Sequence, residues 1–367
     1  MIIKKVRAKN FRNIEECELD FSPGVNLLIG KNAQGKTNII ESVYIFSRGK
    51  SFRAREDSDL IKFGEEGFNI SIEYEDLLGE GSLEYSLYGK ERQRKKNGYK
   101  IKKVSEMIGS FKSVLFYPDD LLLVKEGPEK RREFINVAIS QCYKNYIKYY
   151  SDYKKALENR NALLKMINKG FYIDRAEIES WSASLAEYAS YIYLLRKEYV
   201  EKISEYSKRI MYDISEGREE LSISLDSDIL GDFEERSLVK EEYERIFNTS
   251  LDREIAAGVT LFGPHRDDIK IILNGKEARL FASQGQQRSI VLALKLGEGE
   301  VLRELTGEYP VFLLDDVLSE LDSERQRYVL SGSENKQFII SSCSGEECLG
   351  FTDREINVSE GKFTVKL

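Results

Sequence analysis

Apolar positions in the middle of the chain recur every three or four residues. Ile178, Trp181, Leu185, Tyr188, Ile192, Leu195, Tyr199, Ile203, Tyr206 and Ile210 form one stripe. That period predicts a single long helix, roughly 50 Å from first to last at 1.5 Å per residue. Tyr146, Tyr149, Tyr153, Leu157, Leu164 and Ile167 mark an earlier helix, and Asn168-Lys169-Gly170 breaks between the two. The pattern predicts an antiparallel helical hairpin with further helices after it. No proline lies between Pro128 and Pro264, so nothing there interrupts long helices. The flanks have a different period. Lys5 to Lys9 alternates charged and apolar residues as a half-exposed strand does. Val25–Ile29, Val311–Leu314 and Phe338–Ile340 read as short buried strands. Asn274-Gly275 after Ile269–Leu273 is a hairpin signal. Strands with intervening helices at both ends, around a helical middle, predict one α/β domain interrupted by an insertion.

Length and composition agree with this division. The 367 residues exceed one small domain, and 41% hydrophobic residues suffice for a sizeable core. Charged residues make up 32%, above the usual ~25%, as expected for long solvated helical faces. No apolar run approaches the roughly 18 residues of a spanning helix, and the first residues lack a signal-peptide core, so the expected location is cytoplasmic. Cys17, Cys142, Cys343 and Cys348 form no CxxC pair, which removes a zinc ribbon or disulfide framework. A single histidine excludes a multi-His metal site and leaves His265 as the only possible imidazole base. The net charge of −7 hides a segregation. Between Lys90 and Lys103 eight cationic side chains face the one carboxylate of Glu91, leaving the remainder strongly acidic. Such a run is either a solvated hairpin or loop, or a surface that steers a polyanion by its local field.

Gly30-Lys31-Asn32-Ala33-Gln34-Gly35-Lys36-Thr37 fits G-x-x-x-x-G-K-[ST] between a predicted strand and the apolar-periodic helix Asn38–Phe46. The glycines let backbone N–H groups converge, and the helix start adds partial positive charge. Lys36 is placed to reach the β- and γ-phosphates of ATP, and Thr37 to hold Mg²⁺. Val311–Asp316 supplies the second half. An apolar strand ending in carboxylates sets Asp315 to hold Mg²⁺ through water and Asp316 to polarise the attacking water. Ser283-Gln284-Gly285-Gln286 opens a further helix, either as a polar N-cap or as a second phosphate site. Two such sites with one Lys-Thr loop point to a site completed across a dimer.

With these pieces in place, the chain resembles the ABC-type ATPases of DNA repair and chromosome organisation, and within them the RecF family of recombination mediators. The matching residues are Asn10-Phe11-Arg12-Asn13, Gly30 through Asn38, Gly49–Arg53, Gly127-Pro128 with Arg131-Arg132, Gly263–Asp268, Ser283–Ser289 and Ser319–Asp322. They span nearly the whole chain. The resemblance implies an ABC-type ATPase head, a mixed sheet with helices, carrying an inserted mainly helical second lobe. The expected division is head at 1–120, helical lobe at 121–250 and head again at 251–367. It also implies an ATP-dependent dimer in which ATP lies between the phosphate loop of one subunit and Ser283, Gly285 and Gln286 of the other, with Asp322 near the interface. Dimerisation would close on single-stranded or gapped DNA, with RecO and RecR as partners, and slow hydrolysis would release it. The chain departs from its relatives in three places. Asp316 replaces the glutamate many of them carry after the metal-binding aspartate. Ser341 or Ser342 stands where many have a switch histidine. Asn136 occupies a position where an aspartate is expected.

The expected DNA contacts are Lys5, Arg7 and Lys9 on the first strand and Arg92, Arg94, Lys95, Lys96, Lys100, Lys102 and Lys103 in the basic run. Arg53 and the Ser113–Asp120 segment are the candidates for adenine contact, and Pro264-His265-Arg266 is expected to shape a loop. An alternative is a nucleotide-gated protein–protein scaffold that reaches DNA only through a partner, which the acidic remainder favours. A transporter ATPase subunit fits poorly, because the interval from Pro128 to Pro264 is too long for its usual insertion.

Overall fold

The computed structural model describes residues 1–348 and 350–366. At its centre lies a six-stranded sheet in the order Lys362–Lys366, Arg354–Ser359, Val25–Ile29, Phe338–Ser342, Val311–Asp315 and Ser113–Phe116. The last five are parallel, and only the Lys362–Lys366 edge strand runs antiparallel. The inner strands are apolar almost throughout because both faces are covered. Successive side chains serve opposite faces. Leu28, Leu115, Leu313 and Ile339 join one core, whereas Leu27, Phe116, Leu314 and Ile340 join the other. The first core lies beneath the helix Lys36–Arg48 and a second, antiparallel sheet. That sheet runs Ile14–Asp20, Ile2–Phe11, Gly67–Asp76, Gly79–Tyr88, Glu91–Lys96 and Tyr99–Ile101. The basic run is therefore an edge hairpin, turned at Asn97-Gly98, both with positive φ as a two-residue turn requires.

The second core joins the central sheet to the helical lobe. Pro128–Cys142 precedes the two helices anticipated from the apolar stripes, Tyr146–Asn168 and Arg175–Ile214, the last 40 residues long. Asp174 caps it by accepting from the Ala176 N–H. The helix Gln284–Thr306 packs along it so closely that a Cβ on Gly297 would sit 2.7 Å from Ser207 Oγ. Asp268–Leu273 pairs with Leu221–Asp226, and Asn274-Gly275 turns the chain back as the sequence indicated. Residues 268–306 thus pair and pack with the lobe, and the chain re-enters the central sheet at Val311.

Two fully buried ion pairs fasten the lobe. Arg160 bonds Glu254, and Arg196 bonds Asp267, with all four side chains at 0% exposure. Asn136, which stands where an aspartate is expected, accepts from Arg196 at 3.0 Å as a neutral acceptor, and the ion pair of Arg196 is made by Asp267. No helix among the described residues is long and apolar enough to cross a membrane.

Candidate nucleotide and magnesium site

The strand Val25–Ile29 delivers the chain to the Gly30–Gly35 loop, and the helix begins at Lys36. Gly35 has φ +119°, open only to glycine, and a Cβ there would stand 2.9 Å from Asn13 Oδ1. A Cβ on Gly30 would stand 2.2 Å from the Val358 carbonyl oxygen. Ala33 also has positive φ. The loop is braced from outside: Gln34 accepts from the Gly361 and Glu360 N–H groups, and Asn13 bridges the Asn38 side chain and the Ala33 carbonyl. Among the described residues, no backbone N–H from Lys31 to Thr37 is donated to a protein acceptor. Unspent donors at a helix start are what a phosphate chain needs.

Lys36 is buried. Its Nζ donates to the carbonyls of Gly30 at 2.5 Å and Lys31 at 3.2 Å and lies 4.0 Å from Asp316 Oδ1. Thr37 Oγ1 donates to Asp315 Oδ1 at 2.8 Å, bringing the two expected metal ligands into contact. The Ser341 hydroxyl also donates to Asp315, at 2.9 Å, and accepts from the Asp316 N–H at 2.9 Å. Burial pushes the Asp315 carboxyl above its ordinary range, although the two hydroxyls pull the other way. A divalent cation would oppose that shift directly. A hydroxyl and a carboxylate are hard oxygen donors suited to Mg²⁺, which keeps several waters and takes its remaining ligands from phosphates. Asp316 has φ +53°, a left-handed conformation that aims its half-exposed carboxylate over Lys36.

Three residues beside the loop were not expected as contacts: Asn13 and Ser341 entered only through the resemblance, and Cys343 only in the cysteine count. Ser341 faces Asp315 through parallel register, a pairing that no local pattern encodes. Cys343 Sγ sits 3.7 Å from Lys36 Nζ and 2.9 Å from Asn32 Oδ1. Arg53 donates to Asn38 Oδ1 and Glu41, beside the loop. Glu41 is fully buried. Desolvation works against its charge, but Arg12 and Arg53 hold it below the usual carboxylate range. Ser113–Phe116 is an edge strand of the central sheet with all four residues buried, and Asp120 is a buried partner of Lys295. Arg53 is therefore the member of the adenine pair that lies by the loop.

Ser283 accepts from Gln286 N–H, and Gln286 Oε1 accepts from Ser283 N–H, a reciprocal cap at an exposed helix start. Gln286 Nε2 donates to Glu219. Asp322 caps the helix Ser323–Ser331, and Arg325 ties that helix to Ser289. Among the described residues no hydrogen bond joins Ser283, Gly285 or Gln286 to this chain's own phosphate loop.

The expected DNA contacts divide. Lys5 pairs with Glu18 and Asp20, Arg7 with Glu18 and Glu73, and Lys9 with Glu16, so cross-strand carboxylates compensate each of them. In the basic hairpin, Arg92 pairs with Asp57 and Lys95 with Glu84. Arg94 lies over the Tyr85 ring and Lys96 donates to Ser110. Lys90, Lys100, Lys102 and Lys103 are exposed. His265 accepts from Tyr153 OH at Nδ1 and donates from Nε2 to the Thr260 carbonyl. It shapes a loop within the lobe, and burial pushes its pKa down to about 4.

The family model described as the RecF/RecN/SMC N-terminal domain matches residues 2–362. The chain is 37% identical over 360 residues to the DNA replication and repair protein RecF of Clostridioides difficile, covering 98% of this chain and 96% of that protein. It is 39% identical over 357 residues to the RecF of Caldanaerobacter subterraneus subsp. tengcongensis, covering 95% and 96%. A solved structure of the recombination mediator RecF with ATP, from the RecFOR pathway, superposes with a TM-score of 0.92 at 37% identity, covering 100% of this chain and 98% of that one. The Smc head domain of Pyrococcus furiosus superposes at 0.58 with 20% identity, a likeness of fold.

Proposed function

This chain belongs to the RecF family of DNA replication and repair proteins, ATPases with an SMC-like head, and on that premise we propose that it is an ATP-driven dimeric clamp on DNA. The observation that carries the reading is the convergence of Lys36, Thr37, Asp315 and Asp316 at one end of the sheet, while Ser283 stands at a separate, exposed helix start. A second subunit's Ser283, Gly285 and Gln286 would close the site over the γ-phosphate, with that subunit's Asp322 alongside. Mg²⁺ held by Thr37 and Asp315 would neutralise charge between the β- and γ-phosphates. Lys36, released from the Gly30 and Lys31 carbonyls, would reach the phosphates, and Asp316 would orient and deprotonate the attacking water. Asp316 is one methylene shorter than glutamate, and its left-handed backbone swings the carboxylate over the loop, which suits slow turnover. Hydrolysis is then a release switch.

The solved RecF–ATP relative supports ATP as a ligand here, and its RecFOR pathway supports RecO and RecR as partners; Mg²⁺ at Thr37 and Asp315, and single-stranded or gapped DNA as the target, are part of the proposal. The basic hairpin, through Lys90, Lys100, Lys102 and Lys103, is the proposed polyanion surface of the head. The alternative, a nucleotide-gated scaffold, draws on the ion-paired state of Lys5, Arg7 and Lys9. Gel retardation by the purified protein at moderate salt separates the two. The clamp reading expects a shifted band with ATP and none with ADP. No shift with either nucleotide, restored by adding RecR, would favour the scaffold.

A further inference from the structure

Arg131 and Arg132 form a motif that the nucleotide site does not use. Arg131 is spent inside the fold, holding Asp268 with Nε and Nη2 at 2.7 and 2.8 Å. Arg132 is not. It donates Nη1 to the Asp267 carbonyl at 2.8 Å and, among the described residues, forms no ion pair. The two acids beside it are taken, Asp268 by Arg131 and Asp267 by Arg196. Burial and the nearby Arg196 work against the Arg132 charge, and the already-paired Asp268 and Asp267 offset them only in part. A half-buried guanidinium beside another guanidinium lacks an anion.

Arg132 lines a groove of about 470 Å³ where the C-terminal end of the helix Lys36–Arg48 meets Pro128–Cys142 and Tyr146–Asn168. Lys154 lines the same groove, over the Tyr150 ring at 5.3 Å and with no ion pair among the described residues. Arg48 and Lys50 share one carboxylate, Glu133, and the only other acid in the wall is Glu129. Cations therefore outnumber acids, in contrast to the first strand, where every cation is matched. A volume of about 470 Å³ is enough for a few sugar–phosphate units.

We propose that this groove, through Arg132 and Lys154, binds the phosphodiester backbone of one DNA strand. The proposal rests on the DNA-clamp reading and gives it a second contact, on the lobe side. Positioning contacts from arginine and lysine to phosphate carry no base information, so binding here is independent of sequence.

The test uses the full chain with a non-hydrolysable ATP analogue and a labelled single-stranded oligonucleotide, from about 50 to about 200 mM salt. The variants are Arg132→Gln, Lys154→Gln and the pair. Each lost phosphate contact should flatten the log–log salt slope by about 0.7. The pair should flatten it by about twice that, with ATP-analogue binding unchanged. Lys154 is exposed, so its variant keeps the test clear of folding defects. A wild-type slope in the paired variant overturns the groove and leaves the clamp reading standing. Failure of the wild-type chain to bind DNA overturns both. If polyglutamate is bound through Arg132 and Lys154 while the DNA slope does not change, the groove docks an acidic protein and the proposal falls.

Discussion

Glu298 lies on the helix Gln284–Thr306, 4% exposed, and its Oε2 has no partner among the described residues. It borders a cavity of about 50 Å³ shared with Tyr44 of the phosphate-loop helix and with the Asp120–Lys295 pair. Burial pushes its carboxyl from 4.5 up to about 7, with Lys295 pulling the other way. The folded chain thus binds this proton more tightly than the unfolded one. The associated stability is fully present below about 4.5 and is lost as pH rises through 7. At 1.36 kcal/mol per unit, the loss approaches roughly 3 kcal/mol by pH 8. Glu298→Gln keeps the shape and removes the titration. It should match the wild-type protein within about 1 kcal/mol at pH 5 and exceed it by roughly 2–3 kcal/mol at pH 8. Urea unfolding followed by circular dichroism at both pH values reads the difference. An equal effect at both pH values, or greater destabilisation at pH 8, would refute the reasoning.

His265 should behave with the opposite sign: its pKa is pushed down to about 4, so the stability it confers is present above 6.5 and lost as pH falls through 4. His265→Gln should flatten the acid limb of the stability profile by up to roughly 3 kcal/mol, read from urea midpoints between pH 7 and pH 4. Asp315→Asn should lower Mg²⁺-dependent ATP turnover by on the order of 10²–10³-fold while metal-free nucleotide binding persists, checked by phosphate release and by calorimetry in chelator. Gly35→Ala forces a side chain into φ +119° and against Asn13, so nucleotide affinity should fall about 10- to 100-fold; equal affinity in a fluorescent-nucleotide titration would contradict the loop geometry.

The parts legible in the sequence were those with a local period or a fixed spacing. The stripe from Ile178 to Ile210 falls within Arg175–Ile214, and Val25–Ile29 and Val311–Leu314 occupy the central strands. Lys36, Thr37 and Asp315 meet because a strand, a tight turn and a helix leave little choice. Long-range register was not legible. Nothing near Ser341 announces that it lies opposite Asp315, and nothing near Lys5 or Arg7 announces Glu18 and Glu73 across the sheet. Pairing of residues 268–273 with 221–226 is likewise a tertiary fact. So is the burial of Ser113–Phe116, the first half of the Ser113–Asp120 adenine segment, because a short apolar run does not reveal which sheet will bury it.

The proposed clamp needs a nucleotide site built from two chains. Light scattering of the purified protein without nucleotide, with ADP and with a non-hydrolysable ATP analogue tests it most directly, alongside Ser283→Arg. The expected result is a dimer only with the triphosphate analogue, and a variant that binds the analogue with wild-type affinity yet stays monomeric. A wild-type chain that remains monomeric when loaded, or an arginine variant that dimerises as well as the wild type, would contradict it.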